Sequence, residues 1–253
     1  MADALTPETV EPLLRGRFGR PFLHRESCES TQQLLDRGLG EGAVAVCDEQ
    51  TGGRGRLGRS WTTPPGTAVL ASILLTPPPG RNVAEISLAG GLATAHAVED
   101  ALGRSARIKW PNDVLVDGRK VGGVLAEVED DAVVLGIGLN INQTHAELPT
   151  DTKVAAASLY TIDGIRRERA PVLADLLVSL ERVYDLWRAT GLEAIHAGLA
   201  SRDFLRGRAV VVDGEPGRAI GIDPSGRLEV ELAGRRRLVE SGEVLLAASA
   251  CGR

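Results

Sequence analysis

The sequence has few cysteines and no long apolar run, and each shortage argues against a class of protein. Its three cysteines, Cys28, Cys47 and Cys251, are odd in number and far apart, which argues against a disulfide framework or a zinc knuckle. Apolar runs such as "AVLASILL" are shorter than the roughly 18–20 residues that span a bilayer. The start, "MADALTPETV", lacks the basic and apolar regions of a signal peptide. We therefore expect a cytoplasmic protein that has no membrane partner.

Positive charge is not in excess either. The chain has 34 acidic and 29 basic residues, a formal net charge of −5, so general attraction to DNA or to an anionic membrane is not expected. Lysine is especially scarce, because all basic residues except Lys109, Lys120 and Lys153 are arginines. A lysine kept in such a chain hints that a compact ammonium group is needed there, although chance placement explains the pattern equally well.

The length of 253 residues suits one large domain, or a medium domain with a small appendage. Apolar periodicity and turn residues predict both helices and strands. The predicted helices cover 6–17, 84–102 and 170–190, with a further one from Ser30 or Thr31 to just before Gly38; the predicted strands cover 43–47, 67–76 and a meander from 106 to 142, with turns at Asp117–Gly118 and Asp130–Asp131.

Residues 208–247 differ in character from the rest of the chain. Short apolar stretches alternate there with the turn sequences "DG", "PSG", "AG" and "SG", which predicts five strands and a small all-β barrel. We expect a domain boundary between Arg202 and Gly207, which divides the chain into a catalytic part, 1–204, and a C-terminal part, 205–253.

The most distinctive stretch is "TGGRGRLGRSW" at residues 51–61. It contains the spacing G-x-G-x-x-G of the dinucleotide-binding fingerprint, but that fingerprint opens a helix, which Pro64 and Pro65 exclude here. A GxxxxGK[ST] phosphate loop is missing from the sequence, and the stretch is single rather than repeated as in disordered RGG segments. A glycine-rich turn with solvated arginines does not explain three arginines and Trp61 together.

A loop that folds over an anionic small molecule accounts for these residues best. Guanidinium groups make bidentate hydrogen bonds with phosphates and carboxylates, and an indole stacks on a planar base. The stretch therefore predicts a site for an anionic ligand that has a nucleotide part.

Four separated blocks, in the same order, make the sequence resemble the biotin protein ligases, which attach biotin to carrier domains of carboxylases. The blocks are "EST" (29–31), "DEQTGGRGRLGRSW" (48–61), "KWPNDVLVDGRKVGGVLAE" (109–127) and "LGIGLNIN" (135–142), and they contain the family motifs GRGRxGRxW and KWPND intact. The resemblance extends over residues 25–247. It implies an α+β fold, with a mixed, mostly antiparallel sheet flanked by helices as in class II aminoacyl-tRNA synthetases, and a small C-terminal SH3-like β-barrel.

Two features distinguish the chain from other members of that family. Gln32 stands where the family's first block, S-T-N, has its asparagine, which alters either a helix cap or the geometry of the pocket. The segment before the first block is too short for the helix-turn-helix domain that makes some members repressors. We therefore expect the ligase-only kind, with no DNA partner.

The resemblance implies a reaction in two steps. The biotin carboxylate attacks the α-phosphate of Mg-ATP, which gives biotinyl-5′-AMP and pyrophosphate; a lysine of a biotin carboxyl carrier domain then attacks the adenylate and releases AMP. Arg54, Arg56 and Lys120 are the implied catalytic residues, because they neutralise two anions that must be held in line. No set of protein metal ligands is implied; Asp113 either helps to hold Mg²⁺ through water or caps a turn.

The implied ligand contacts fall into two groups, one for the biotin head group and tail and one for the nucleotide. The biotin group comprises Ser30, Thr31, Gln32, Gln50, Gly53, Arg54, Gly55, Arg56, Lys120, Gly122 and Gly123; the ATP or adenylate group comprises Arg54, Arg56, Trp61, Lys109, Asn112 and Asn140.

Two other functions remain open. A lipoate or octanoate ligase or transferase has a related fold, but its R-R-x-S-G-G-G-like loop is missing from this sequence. A non-catalytic biotin-binding regulator would arise most simply by loss of the loop arginines or of Lys120, and all of these are present. We expect a monomer or a weak homodimer, and the role of the C-terminal barrel stays open.

Overall fold

The larger sheet has seven strands and carries most of the sequence blocks. The computed structural model describes residues 3–129 and 131–247. The strands are β1 (Phe22–Cys28), β2 (Val44–Gln50), β3 (Ala68–Leu75), β4 (Arg107–Lys109), β5 (Asp113–Val116), β6 (Arg119–Glu129) and β7 (Ala132–Asn140). Their order is β1-β2-β3-β7-β6-β5-β4, in which β1 and β2 are parallel and all other neighbours are antiparallel.

Helices cover one face of this sheet. They are α1 (Pro7–Val10), α2 (Ile86–Leu102), α3 (Leu159–Asp163), α4 (Arg169–Thr190) and α5 (Glu193–Arg202). Helix α2 packs on β6 and β7, and α4 packs on α2. Gly90 allows the close approach of α2, because a Cβ atom there would lie 3.0 Å from Val124 and 3.1 Å from Leu135. In the part of the chain that the structure describes, no helix has the length and apolar character to cross a membrane.

The C-terminal region forms a second, five-stranded sheet. Its strands are β8 (Ala209–Val212), β9 (Glu215–Ile222), β10 (Leu228–Leu232), β11 (Arg235–Val239) and β12 (Val244–Leu246), in the order β11-β10-β9-β8-β12. All neighbours are antiparallel. The predicted α+β fold, with a large, mostly antiparallel sheet and a small SH3-like β region of five strands, is therefore confirmed.

Two buried side chains attach the small sheet to the large one. The indole N–H of Trp110 donates to the carbonyl of Gly226 at 2.9 Å. The carboxylate of Asp203 accepts from the backbone N–H groups of Leu205 and Ile222, and burial raises the pKa of this carboxyl group. Trp110 belongs to the KWPND block, so the small sheet is held directly against a predicted site motif.

Two of the helices predicted near the N-terminus are wrong: one is shorter than predicted, and the other is replaced by 3₁₀ turns. Helix α1 and a 3₁₀ turn end at Leu13, well short of residue 17. The helix predicted from Ser30 is replaced by two 3₁₀ turns, because the Asp36 side chain accepts the N–H of Gly38 and starts a new turn. The other long helices and the strands are confirmed. Strands β6 and β7 pair as far as Glu129 and Ala132; Asp130 of the predicted turn lies outside the described residues, as does Cys251.

Candidate functional site

A cavity of about 670 Å³ lies against the face of the large sheet that α2 does not cover. The two faces are distinguished by neighbouring glycines of β6: a Cβ atom at Gly122 would meet Thr94 of α2, whereas one at Gly123 would meet Trp61 and Lys120. All four sequence blocks contribute to the lining. Its volume is that of a site for a small molecule of nucleotide size.

The glycine- and arginine-rich stretch forms an ordered hairpin at the mouth of this cavity. Arg54 and Ser60 face each other in an antiparallel bridge, and the N–H of Trp61 donates to the carbonyl of Gly53 at 2.9 Å. Glycine is required at 53, because a Cβ atom there would lie 2.3 Å from the carbonyl oxygen of Trp61. At the tip, Leu57 has a left-handed backbone (φ 58°) and is 65% exposed. The hairpin thereby directs its arginines along the cavity.

One end of the cavity is lined by small polar side chains in a fixed network. The backbone N–H and the hydroxyl of Thr31 approach Oε1 of Gln50 at 2.8 and 3.1 Å, and the same hydroxyl shares a 2.7 Å hydrogen bond with Ser72. The hydroxyl of Ser30 accepts the N–H of Gln32 at 3.4 Å. Nε2 of Gln50 has no hydrogen-bond partner in the described parts of the chain, so this amide can still donate to a ligand.

Gln32, which stands where the family pattern has asparagine, reaches across strand β7. Nε2 of Gln32 lies 3.4 Å from the carbonyl oxygen of Val134. A Cβ atom at Gly136 would lie 3.2 Å from Cδ of Gln32, so the glutamine amide rests on the glycine backbone. The longer side chain thus forms part of the floor of the polar end.

Cations surround the middle of the cavity. Arg54 forms an ion pair with Glu127 at 2.8 Å, and the ammonium of Lys120 lies 2.6 Å from the carboxylate of Asp113. Six basic and three acidic side chains line the cavity, a surplus of three positive charges in a chain whose formal net charge is −5. This concentration of positive charge favours an anionic ligand.

The side chains of two of these cations form no ion pair among the described residues. The side chains of Arg56 and Lys109 make no hydrogen bond or ion pair with any residue that the structure describes, and Lys109 is only 8% exposed. Burial lowers the pKa of Lys109; the nearby Asp113 carboxylate opposes this shift, and Lys120 adds to it. Burial also lowers the pKa of the Arg56 guanidinium. An unpaired charge as buried as that of Lys109 is costly, and an anionic ligand would reduce that cost.

Trp61 lies across two glycines in the wall of the cavity. Cβ atoms at Gly138 and Gly123 would lie 2.5 and 3.2 Å from its ring. The Lys120 ammonium is 5.3 Å from the ring centroid, a cation–π distance. The indole N–H is buried and has no partner among the described residues. Stacking and a free N–H donor are therefore both available beside Lys120.

The two predicted asparagines are held by the protein's own backbone. Nδ2 of Asn112 donates to the carbonyl of Val124 at 2.9 Å. Nδ2 of Asn140 donates to the carbonyl of Ala157, and its Oδ1 accepts from Gln143. Both asparagines line the cavity. Because the nitrogen and the oxygen of the Asn140 amide are both hydrogen-bonded within the protein, Asn140 shapes the wall of the cavity.

Most predicted site residues meet in this one cavity. Gly53 and Gly122 are the exceptions: Gly53 lines a shallower hollow behind the hairpin, and Gly122 faces α2. The remaining predicted residues line the cavity: Ser30, Thr31, Gln32, Gln50, Arg54, Gly55, Arg56, Trp61, Lys109, Asn112, Lys120, Gly123 and Asn140.

The sequence interpretation missed several lining residues. Among them are Arg59, Ser72, Gly138, Lys153 and Glu243. The scarcity of lysine could have pointed to Lys153, and Arg59 stands inside the GRGRxGRxW motif. Ser72 and Glu243 carry no comparable signal, because distant strands bring them to the site.

Comparison with known proteins agrees with this geometry. The profile described as "Biotin/lipoate A/B protein ligase family" matches residues 25–142, and that of the "Biotin protein ligase C terminal domain" matches residues 207–246. A biotin--[acetyl-CoA-carboxylase] ligase of Mycobacterium tuberculosis is 33% identical over 215 residues, which cover 81% of this chain and 79% of that protein.

A bifunctional relative and a relative of known structure are also similar to this chain. The bifunctional ligase/repressor BirA of Bacillus subtilis is 33% identical over 85% of this chain and 70% of its own length. The biotin protein ligase from Aquifex aeolicus, solved in complex with biotin and ATP, is 30% identical with a TM-score of 0.81, over 90% of this chain and 98% of that one. With its sheet order, its cavity and these relatives in agreement, the chain belongs to the biotin protein ligase family.

Proposed function

We propose that this chain activates biotin with ATP and transfers it to a lysine of a biotin carboxyl carrier domain. In the first step a carboxylate oxygen of biotin attacks the α-phosphorus of ATP, and the bond to the β-phosphate oxygen breaks to release pyrophosphate. In the second step the lysine nitrogen attacks the acyl carbon of biotinyl-5′-AMP, and AMP leaves. The reaction joins an acid to an amine at the expense of one ATP.

The observation that carries the proposal is the pair of unpartnered cations, Arg56 and Lys109, in the wall of one enclosed cavity. Two anions, a carboxylate and a polyphosphate, must approach each other in the first step. Cations that are already in place reduce that repulsion without having to leave anionic partners of their own. Lys120 and Arg54 add two more positive charges at the same place, although each first has to share or exchange its carboxylate.

The polar end of the cavity suits the head group of biotin. Its ureido ring has one carbonyl and two N–H groups, so it needs both donors and acceptors. Ser30, Thr31 and Gln50 offer hydroxyls and one free amide N–H₂, while Gln32 and the backbone of Gly136 form the floor. We assign the glycines 53, 55, 122 and 123 to backbone shape rather than to side-chain contacts.

The opposite side of the cavity suits the nucleotide. Trp61 offers a ring face and an unpaired N–H, Asn112 and Asn140 form the wall, and Lys109 lies ready for a phosphate. As charge moves from the carboxylate to the anhydride and then to an oxyanion, the Lys120 ammonium can follow it, because a point cation on a flexible stem is not bound to one geometry.

Magnesium enters this proposal together with ATP. The described residues hold no group of three or more His, Cys, Asp or Glu side chains that could cage a metal ion. Mg²⁺ usually takes one or two carboxylates and the phosphates of its substrate, which fits a cavity where Asp113 lies beside Lys120. Asp113 would hold the ion through water, and the ion would neutralise phosphate charge.

We place the reaction in the cytoplasm, in a monomer or weak homodimer, with a carboxylase carrier domain as the acceptor and without DNA. The principal alternative substrates are lipoate and octanoate, since the matching family profile includes lipoate ligases. Lipoate and octanoate lack a ureido ring, so they would leave the free amide N–H₂ of Gln50 without a partner. That difference favours biotin.

Release of pyrophosphate from ATP tests the proposal. The purified chain is given MgATP with biotin, lipoate, octanoate or no acid, and a carrier domain is then added to each mixture. We expect release that depends on biotin alone, followed by biotin on the carrier lysine. Release with lipoate or octanoate in place of biotin would assign the chain to the other branch of the family, and biotin binding without release would make it a non-catalytic regulator.

A further inference from the structure

A β-bulge decides on which face of the large sheet Lys120 lies. Lys120 of β6 stands opposite Leu115 of β5. Gly122 stands opposite Val114, so Val121 is an extra residue in β6. Because the two residues of β5 are consecutive, their partners Lys120 and Gly122 lie on opposite faces. Strict alternation would have put Lys120 with Gly122 on the face that α2 covers, whereas the bulge puts it on the cavity side.

The backbone of Lys120 is held by residues 155–157, which we call the strap. The N–H of Lys120 donates to the carbonyl of Ala155, and the N–H of Ala157 donates to the carbonyl of Lys120, both at 2.8 Å. These two bonds make a parallel bridge. The pairing of β6 with β7 begins only at Gly122, so the strap takes the place of β7 beside the bulge.

Buried side chains hold the strap in turn. Nδ2 of Asn140 donates to the carbonyl of Ala157, and Nε2 of Gln143 donates to Oδ1 of Asn140, both at 3.0 Å. The hydroxyl of Ser158, which follows the strap, donates to the backbone carbonyl of Gln143 at 2.6 Å. A continuous series of hydrogen bonds therefore runs from Gln143 through Asn140 and the strap to the backbone of Lys120.

The side chain of Gln143 carries a cost that a gain in stability does not explain. Gln143 is 1% exposed, and its Oε1 has no hydrogen-bond partner among the described residues. A buried oxygen without a partner lowers the stability of the fold. What the amide supplies is a donor that fixes the orientation of Asn140: because Oδ1 of Asn140 accepts from Gln143, its Nδ2 faces the strap.

On the basis of the proposed function, we infer that Gln143 is a positioning residue for the catalytic Lys120. Gln143 orients the amide of Asn140, and this amide holds the strap. The strap holds the bulge that directs the Lys120 ammonium into the cavity, where it lies 2.6 Å from Asp113 and 5.3 Å from the ring centroid of Trp61. Gln143 is not part of the cavity lining, so it acts on the reaction only through Lys120.

The place of the Lys120 side chain can be followed without any reaction. The chain has three lysines, Lys109, Lys120 and Lys153, so labelling of lysine Cε with carbon-13 gives three NMR signals, and Lys120→Met identifies that of Lys120. The ring of Trp61 shifts this signal, which makes it sensitive to displacement. Gln143→Met keeps the length of the side chain and removes the donor. We expect it to move the signal of Lys120 and to leave those of Lys109 and Lys153 in place.

Kinetics tests the consequence for the reaction. Gln143→Met should form biotinyl-5′-AMP about tenfold more slowly, because a small displacement of a group at the reacting centre is costly. The KM values for biotin and ATP should not change, since Gln143 lies outside the cavity lining. The Tm should stay close to that of the unmodified chain, because the lost hydrogen bond is offset by removal of the unpaired oxygen.

Asn142→Leu is the matched control. Asn142 is the preceding residue, is 8% exposed, and its amide exchanges two hydrogen bonds with the backbone of Arg167, away from the strap. Its replacement should lower the Tm, because it removes both hydrogen bonds, and should leave the Lys120 signal and the rate of adenylate formation unchanged.

The inference is overturned if the Lys120 signal keeps its position in Gln143→Met, if Asn142→Leu moves it as far, or if an active chain that carries Gln143→Met forms the adenylate at the normal rate. Gln143→Leu repeats the test with a side chain of another shape and should give the same shift. The NMR measurement needs neither biotin nor turnover. A shifted Lys120 signal in a chain whose unmodified form releases no pyrophosphate with biotin would retain the positioning and refute the proposed function.

Discussion

Gly123 lies directly opposite Gly138 on the neighbouring antiparallel strands β6 and β7, and the ring of Trp61 rests on this pair. The absence of both side chains leaves a flat slot in the sheet, wide enough for an indole. The slot connects the hairpin to the sheet beside Lys120, so it positions the charges of the hairpin relative to those of the sheet.

Gly138→Ala should disrupt this slot. The new Cβ atom would lie 2.5 Å from Cε2 of Trp61, so the indole must leave. We expect a red-shifted Trp61 fluorescence and about tenfold weaker ATP binding, while the fold remains. The same substitution in a Trp61→Phe background should leave the emission of Trp110 and Trp187 unchanged; a change there would mean that the sheet itself is distorted.

Lys120→Met should slow adenylate formation by about 10²–10³-fold, the usual cost of losing one preorganised charge at a reacting centre. Single-turnover formation of biotinyl-5′-AMP measures this directly. Arg104→Met is the control, because Arg104 pairs with Asp117 at 3.3 Å in the same region but does not line the cavity. If Lys120→Met forms the adenylate at the normal rate, Lys120 has no part in the chemistry.

Arg56→Ala should lower the activity and leave the stability of the fold nearly unchanged. Arg56 has no ion pair in the described parts of the chain; burial lowers its pKa, Asp113 opposes this shift, and Arg59 adds to it. Its removal should therefore change the free energy of unfolding by less than about 0.5 kcal/mol, while adenylate formation falls about 10²-fold. Denaturant unfolding and turnover assays check the two halves; a large loss of stability would contradict the absence of a partner.

Lys109→Met should stabilise the fold at neutral pH and weaken ATP binding. Because burial lowers the pKa of Lys109, the unfolded chain binds this proton more tightly than the folded one, so the stability of the unmodified chain rises as pH approaches the ordinary value of 10.5. The advantage of Lys109→Met should therefore shrink between neutral pH and that value. Urea unfolding at several pH values measures it, and an advantage that does not depend on pH would exclude a charge effect.

Much of the fold could be predicted from local sequence patterns. The helix predicted over 84–102 and the five strands predicted over 208–247 follow from apolar periodicity and turn residues, and the structure has them within a few residues. The helix predicted from Ser30 failed because the Asp36 side chain competes for the backbone and starts a separate turn. Whether a side chain takes a backbone hydrogen bond away from a helix depends on local geometry, which the periodicity of apolar residues does not encode.

The candidate site was predictable only where its residues stand in compact motifs. The blocks at 48–61 and 109–127 supplied the cations and Trp61, whereas Ser72 and Glu243 reach the cavity from isolated positions. Strand order decides their placement, and strand order depends on contacts between distant segments. The slot under Trp61 also escaped prediction, because it requires the pairing of Gly123 with Gly138.

Mass spectrometry of one reaction tests the central claim most directly: the purified chain is mixed with biotin and MgATP, separated from free ligands, and then given a carboxylase carrier domain. We predict that biotinyl-5′-AMP is retained by the chain and that the carrier gains one biotinyl group on a single lysine, with AMP released. A carrier that stays unmodified, with no adenylate found on the chain, would contradict the account.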